Sequence, residues 1–213
     1  MKINSLKYLF PFFLFLLLNC YHTKQDNLSI LTLLSQNTSP VRVTIVGDSI
    51  SQWSDSFGLK QKLGSAYSVS DVSVAGYDTK LWLEDLAKAE VITTDIWIIE
   101  LGTNDAIYNG TTGFKERYTQ IIRRLEQRAF SYLILSAVPK TNQTGIHEPI
   151  SLNNETIRDL VKSNAKYRLA DLELAFNQAS SNLTLYSVAD PIHPNQIGYE
   201  LIGEEYRRIL FGL

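Results

Sequence analysis

Residues 41–49 read Val41-Arg42-Val43-Thr44-Ile45-Val46-Gly47-Asp48-Ser49. Valine and isoleucine on both faces of such a run are typical of a strand buried from both sides, as in the middle of a parallel sheet. We expect Gly47 to take backbone angles that other residues avoid, so that the chain turns sharply and Ser49 stands exposed at the carboxyl end of the strand. Ligands of open α/β sheets bind at that edge.

Strand-like apolar runs alternate with helical patterns after this point, which indicates βαβ units and a parallel sheet. With the first strand over 41–46, we expect further strands over 68–74, 95–99, 131–138 and 167–172. We expect helices over 57–63, 80–89, 113–128, 152–164 and 194–211, and a polar loop over 139–150. The apolar face of the second helix is assigned to Leu81, Leu83 and Leu86. The third presents Phe114, Tyr118, Ile121, Ile122 and Leu125 at helical spacing.

The composition is that of an ordinary globular protein. The chain has 213 residues, of which 45% are hydrophobic and 20% charged, and this length suits a single domain with a sizeable core. The net charge of -2 and the lack of a basic stripe give no reason to expect a nucleic-acid partner. We expect a monomer.

The amino terminus resembles an export signal. Lys2 and Lys7 precede an apolar run over residues 8–18, which is too short to span a bilayer and fits a signal-peptide core. Residues 17–20, Leu-Leu-Asn-Cys, resemble the bacterial lipobox, whose cysteine is lipidated and becomes the first residue of the mature protein. We therefore predict a signal peptide over 1–20 and a membrane anchor at Cys20, which places the protein in the cell envelope.

The alternative is a secretory signal with an incidental cysteine, which would make the protein a secreted one. Cys20 is the only cysteine, so no intrachain disulfide can form. Residues 21–40 are interpreted as a tether and residues 41–213 as the folded domain.

Polar residues cluster where the predicted strands end and in one late loop. They are Gly47-Asp48-Ser49, Gly76, Gly102-Thr103-Asn104-Asp105 and Asp190-Pro191-Ile192-His193-Pro194. Because the carboxyl ends of parallel strands share one edge, residues far apart in sequence can meet there.

These residues can fill every role in ester cleavage by a serine. Ser49 is the candidate nucleophile, His193 the base that takes its proton, and Asp190 the acid that orients the imidazole. The N–H groups of Ser49 and Gly76 and the side-chain amide of Asn104 are candidate oxyanion donors. Only three histidines exist, and His193 is chosen because His22 lies in the tether and His147 in a polar loop.

In order and spacing, the four blocks resemble those of the SGNH, or GDSL, hydrolase superfamily. The resemblance implies a three-layer α/β/α sandwich with a flavodoxin-like, five-stranded parallel sheet. It also implies a Ser-His-Asp triad, with no metal and no cofactor.

The function predicted is that of a serine esterase or acylhydrolase that forms an acyl-enzyme on Ser49. Short connections between elements predict a shallow, open cleft, which favours short acyl or O-acetyl groups on small-molecule, glycan or lipid esters. Two alternatives remain: an O-acyltransferase that uses the same triad, and a lipoprotein binding module without catalysis.

Neighbouring residues are given supporting or structural roles. Trp53, Tyr77 and Tyr108 follow the blocks and are candidate substrate contacts. Asp48 and Asp105 are interpreted as turn braces. Glu100 is either a buried carboxylate that tunes the site or a residue that points elsewhere. In a purely structural interpretation, Ser49 would cap a helix and Gly76 would end a strand.

Overall fold

The structure is a computed structural model that describes residues 39–213. It contains five strands: β1 (Val41–Gly47), β2 (Tyr67–Asp71), β3 (Ile96–Glu100), β4 (Tyr132–Ala137) and β5 (Tyr167–Asp171). All neighbouring strands pair in parallel, in the order β2-β1-β3-β4-β5. This is the flavodoxin-like arrangement, whose strand order reverses beside β1.

Nine α-helices connect and follow the strands in the described part of the chain. They are α1 (Ser49–Gln52), α2 (Leu59–Leu63), α3 (Thr79–Asp85), α4 (Ala87–Glu90), α5 (Thr103–Tyr108), α6 (Phe114–Glu126), α7 (His147–Val161), α8 (Leu172–Gln178) and α9 (Gln196–Leu210). Among residues 39–213, none of the helices has the length and apolar character that crossing a bilayer requires.

Alternation along the central strands gives the sheet two buried faces. Val43 and Ile45 point into a core formed with α2, α8 and α9, whereas Val46 points into a second core formed with α3, α6 and α7. Successive residues of a strand face opposite sides, so a run of apolar residues supplies both cores at once. The three-layer α/β/α sandwich predicted from the sequence is therefore confirmed.

The reason for glycine at position 47 differs from the one expected. Gly47 is the last residue of β1 and is not among the glycines with positive φ. An added Cβ would instead lie 2.2 Å from the Oγ of Ser51 and 2.9 Å from that of Ser73. Close approach of neighbouring side chains, rather than a special backbone angle, excludes a larger residue.

Several predicted boundaries need correction. The helix expected over 152–164 begins at His147, which shortens the polar loop predicted over 139–150. The helix expected over 80–89 is divided into α3 and α4, and its buried face carries Trp82 rather than Leu81, which is 40% exposed. Strand β2 ends earlier than expected, although backbone hydrogen bonds to β1 continue as far as Val74. The apolar face predicted for α6 is confirmed, since all five residues are buried.

Candidate active site

Three side chains form a continuous hydrogen-bonded chain at the carboxyl edge of the sheet. The Oγ of Ser49 lies 2.8 Å from Nε2 of His193. The Nδ1 of the same ring lies 2.8 Å from Oδ2 of Asp190. This is the geometry of a nucleophile, a base within hydrogen-bond reach of it, and an acid that orients the base.

Asp190 and His193 are held by one turn in the loop between α8 and α9. The Oδ1 atom of Asp190 accepts hydrogen bonds from the backbone N–H groups of Ile192 (3.1 Å) and His193 (3.0 Å). Partial burial opposes ionisation of this carboxyl, but those N–H groups and the imidazole outweigh it and lower its pKa. Asp190 is therefore ionised at neutral pH and can stabilise a positively charged imidazole.

Ser49 is the first residue of α1 and is less accessible than expected, with only 7% of its surface exposed. It follows Asp48, whose carboxylate caps α1 by accepting the N–H of Ile50 at 2.8 Å. The residue before a helix is the usual place for such a cap. The capping position is thus held by Asp48, which leaves the hydroxyl of Ser49 free to face His193.

The three candidate oxyanion donors belong to three different elements. Within residues 39–213, the backbone N–H groups of Ser49 and Gly76 have no hydrogen-bond acceptor, and Gly76 has a positive φ of 80° that orients its N–H. The side-chain amide of Asn104 is held by Oδ2 of Asp48 (3.2 Å) and by the carbonyl of Tyr77 (3.1 Å). Unused backbone donors beside a nucleophile are what stabilisation of an oxyanion requires.

Two further residues support this edge and were not singled out from the sequence. Gln52 accepts the N–H of Ala75 at 2.9 Å and so fixes the turn that carries Gly76. The indole N–H of Trp82 donates to the carbonyl of Gly47 at 2.9 Å. Both contacts join residues distant in sequence, so no local pattern could have indicated them.

A buried acid lies near the candidate nucleophile. Glu100 is fully buried, and its Oε2 accepts a hydrogen bond from Ser51 at 2.8 Å, which settles the direction of this side chain. Burial and then the charge of Asp48 raise the pKa of Glu100 well above its usual value. Burial likewise raises the pKa of Asp48 to about 7.

Asp105 has the bracing contacts expected of it. Its carboxylate accepts the N–H of Thr79 at 3.0 Å and pairs with Arg117 at 3.1 Å. These bonds tie α5, which carries Asn104, to the start of α3 and to α6. Desolvation raises the pKa of Asp105, and the hydrogen bonds from Thr79 oppose that rise.

Of the three aromatic candidates, the structure brings Trp53 to the triad. Its indole packs against the imidazole of His193 with a centroid distance of 4.3 Å, while 58% of the residue stays exposed. Tyr77 instead packs against Trp82 and donates to Asp85 at 3.2 Å. Tyr108 ends α5 and is 65% exposed.

Of the remaining histidines, only His147 lies in the described part of the chain, and it is not part of this cluster. His147 opens α7 and bonds to the carbonyl of Thr141 at 2.6 Å. Cys20 and His22 lie outside the described residues. Within the described range, no three His, Cys, Asp or Glu side chains are placed to hold a metal ion.

Comparison with known proteins identifies the family. The model of the GDSL-like lipase/acylhydrolase family matches residues 45–201, a range that begins in β1, ends in α9 and includes the whole candidate site. The chain therefore belongs to the GDSL-like lipase/acylhydrolase family. A search of curated proteins found no match.

Solved structures share the fold at low sequence identity. A lipase/acylhydrolase from Enterococcus faecalis has a TM-score of 0.65 and 22% identity, over 81% of this chain and 96% of the other. A catalytic mutant of an acetylxylan esterase from Geobacillus stearothermophilus has a TM-score of 0.63 and 15% identity, over 80% and 94%. The catalytic domain of a peptidoglycan O-acetyltransferase from Streptococcus pneumoniae has a TM-score of 0.62 and 16% identity, over 82% and 95%.

Proposed function

We propose that this protein is a serine carboxylic-ester hydrolase that works through an acyl-enzyme on Ser49. The observation that carries the proposal is the unbroken chain from the Oγ of Ser49 through the ring of His193 to the carboxylate of Asp190, with 2.8 Å at each contact. Membership of the GDSL-like lipase/acylhydrolase family supports it.

The reaction has two steps. The Oγ of Ser49 attacks the ester carbonyl while Nε2 of His193 takes its proton, and the N–H groups of Ser49 and Gly76 stabilise the oxyanion. The amide of Asn104 joins them by releasing one of its two acceptors, Asp48 or the carbonyl of Tyr77. His193 then protonates the departing alcohol, and the acyl group stays on Ser49. In the second step His193 takes a proton from water, the hydroxide attacks the acyl carbonyl, and Ser49 leaves with a proton returned by His193.

Short acyl groups, acetyl above all, are the proposed acyl substrates. The connections from β1 to α1 and from β3 to α5 are only one and two residues long, so little protein there is available to enclose a long chain. One structural neighbour is an acetylxylan esterase and another a peptidoglycan O-acetyltransferase, and both names refer to small acyl groups on glycans.

The test is hydrolysis of 4-nitrophenyl esters from acetate to laurate by the wild-type protein and by Ser49→Ala. We expect the highest kcat/KM on acetate or butyrate and a loss of at least about 10³-fold in the variant. Ser163→Ala, at an exposed serine shortly before the start of β5 and so at the edge of the sheet opposite the site, is the matched control and should retain turnover. Equal activity of wild type and Ser49→Ala would overturn the proposal.

A second candidate is O-acyl transfer, supported by the fold shared with the O-acetyltransferase. In that reaction a sugar hydroxyl replaces water in the second step, and the acyl-enzyme is the same. Adding an acceptor oligosaccharide to the nitrophenyl acetate assay distinguishes the two reactions. Acetylated oligosaccharide as the main product would assign the transferase, and free acetate the hydrolase.

We also propose export and lipidation at Cys20, on the amino-terminal sequence alone. Mass spectrometry of the mature protein tests this. A diacylated cysteine at the new amino terminus is the expected result, and an amino terminus at any other residue would reject the anchor.

A further inference from the structure

The position of His193 determines which part of an ester lies beside Trp53. In the hydrolase proposed above, Nε2 of His193 must reach the oxygen of the departing alcohol. The indole of Trp53 lies against that ring at a centroid distance of 4.3 Å and keeps a largely exposed surface. An alcohol oxygen held for protonation by Nε2 would therefore lie close to the exposed surface of Trp53.

A cavity of about 310 Å³ lies along the same two segments of chain. One wall begins at Ser54, directly after Trp53, and the other begins at Gln196, three residues after His193. Both walls thus follow closely in sequence on residues at the triad, Trp53 and His193. The volume is at the lower end of the range of about 300–1,000 Å³ that is usual for small-molecule sites.

The first wall has an unusual and well-fixed backbone. Asp55, Ser56 and Phe57 have φ values of 49°, 57° and 58°, a left-handed conformation that residues other than glycine rarely adopt. It is held by Phe57, which is buried against Tyr206, and by the Oγ of Ser54, which accepts the N–H of Phe57 at 2.9 Å. The surroundings therefore fix this wall before any ligand arrives.

The lining combines hydrogen-bonding side chains with aromatic rings. Asp55, Gln61, Gln196 and Glu200 offer carboxylate and amide groups, and Tyr199 adds a ring and a hydroxyl. The amide of Gln196 already donates to Oε1 of Glu200 at 3.1 Å. A hydrocarbon chain would leave the other polar atoms of this lining without partners, whereas the hydroxyls of a sugar can satisfy them.

The charges of the lining narrow the class of alcohol that the cavity can bind. Two carboxylates, Asp55 and Glu200, face the cavity, and the one lysine there, Lys62, is paired with Glu204 at 2.8 Å. This balance disfavours phosphate, sulfate or carboxylate groups on the alcohol.

We propose that this cavity binds the sugar of an O-acylated neutral glycan, with Trp53 as the surface between the sugar and His193. The inference names the substrate class of the site and rests on the proposed esterase function.

The test compares two acetyl esters that differ only in their alcohol, 4-nitrophenyl acetate and O-acetylated xylotriose. The variant is Gln196→Ala, which removes an exposed amide from the first turn of α9. We expect kcat/KM on the trisaccharide ester, divided by that on nitrophenyl acetate, to fall about tenfold. The fall should be mostly a rise in KM, because the variant loses about one good hydrogen bond to the sugar. Asn177→Ala, which removes an exposed amide from α8 at a different cavity, should leave both activities unchanged.

Each other outcome has a definite meaning. Activity of the wild type on nitrophenyl acetate but not on the trisaccharide ester would overturn the glycan inference and leave the esterase standing. An unchanged ratio in Gln196→Ala would also overturn it. Failure of the wild type on both esters would overturn the esterase proposal itself.

Discussion

The carboxylate of Asp190 uses its two oxygens for two different purposes. Oδ1 holds two backbone N–H groups and so shapes the turn, whereas Oδ2 contacts the imidazole of His193. A substitution that changes one oxygen and keeps the other can therefore separate the shape of the turn from its chemistry.

Asp190→Asn is that substitution. The amide oxygen can still accept the N–H groups of Ile192 and His193, but the amide nitrogen cannot stabilise a positive imidazole. We expect kcat to fall by about 10³- to 10⁴-fold with an unchanged melting temperature. Nitrophenyl acetate kinetics and thermal unfolding together check this, and a variant with more than a tenth of the wild-type kcat would exclude Asp190 as the orienting acid.

Asn104→Ala tests the oxyanion donors. Loss of the side-chain amide should lower kcat by about 10²-fold or more, with little change in KM, because the oxyanion exists only after attack. The matched control is Asn109→Ala at the end of α5, which loses a side-chain bond to Asp78 of similar length, 2.8 Å. Equal losses of kcat in both variants would show that the loss comes from a disturbed α5 and not from removal of an oxyanion donor.

Among individual residues, the candidate catalytic side chains could be predicted from the sequence, but their surroundings could not. Ser49, Asp190 and His193 could be found because each stands at a strand end or in a proline-stiffened turn. The contact between Trp53 and His193 could not, since it depends on how the loop after α8 folds back over α1. The near-complete burial of Ser49 depends on the same tertiary contact.

The left-handed segment Asp55–Phe57 packs closely against α9. A Cβ added to Gly203 would lie 2.2 Å from the carbonyl oxygen of Phe57 and 2.9 Å from Cε of Lys62. Backbone cannot move aside as a flexible side chain can, so the helix and the segment fit together only with glycine at this position.

Gly203→Ala should therefore destabilise the fold by about 1–3 kcal/mol, the usual cost of overpacking. The control is Gly145→Ala, where an added Cβ meets nothing within 4 Å and the backbone is not left-handed. Urea unfolding measures the free energy of both variants. A Gly203→Ala variant as stable as the control would contradict the close contact.

Long helices and strands could be predicted from the sequence, whereas several short helices could not. The amphipathic helix α6 and the buried strands have enough residues for a period to show. The helices α1, α5 and α8, of four, six and seven residues, have too few, and all three were missed. Helix α7 begins five residues earlier than predicted because Pro149 lies in its first turn, where proline is tolerated.

Across the whole molecule, the acid buried under the sheet edge should give stability a distinct dependence on pH. The pKa of Glu100 is raised in the folded state, so the folded protein holds this proton more firmly than the unfolded chain does. Its contribution to stability is fully present below the unfolded pKa of about 4.3 and is lost as pH rises toward the folded value.

Glu100→Gln removes this titration and keeps an acceptor for Ser51. We expect the melting temperature of Glu100→Gln, measured relative to that of the wild type, to rise as pH rises from 5 to 8. The exposed residue Glu116 provides the control Glu116→Gln, which should show no such trend. A difference for Glu100→Gln that stays constant with pH would refute a raised pKa.

The loop over residues 179–195 carries both the proposed base and its proposed acid, whereas the proposed nucleophile directly follows β1 and begins α1. Within the loop, Tyr186 bridges to Pro194 and the N–H of Asn195 donates to the carbonyl of Leu185. Two backbone carbonyls tie it to the segment after β4: that of Pro191 accepts the N–H of Asn142, and that of Lys140 accepts the hydroxyl of Tyr186 at 2.8 Å. Such segments open at a lower free energy than the sheet does. We therefore expect heat to abolish activity before it melts the sheet, because opening of this loop would remove the proposed acid and base together. Cooling should then restore both at once, since they lie on one turn.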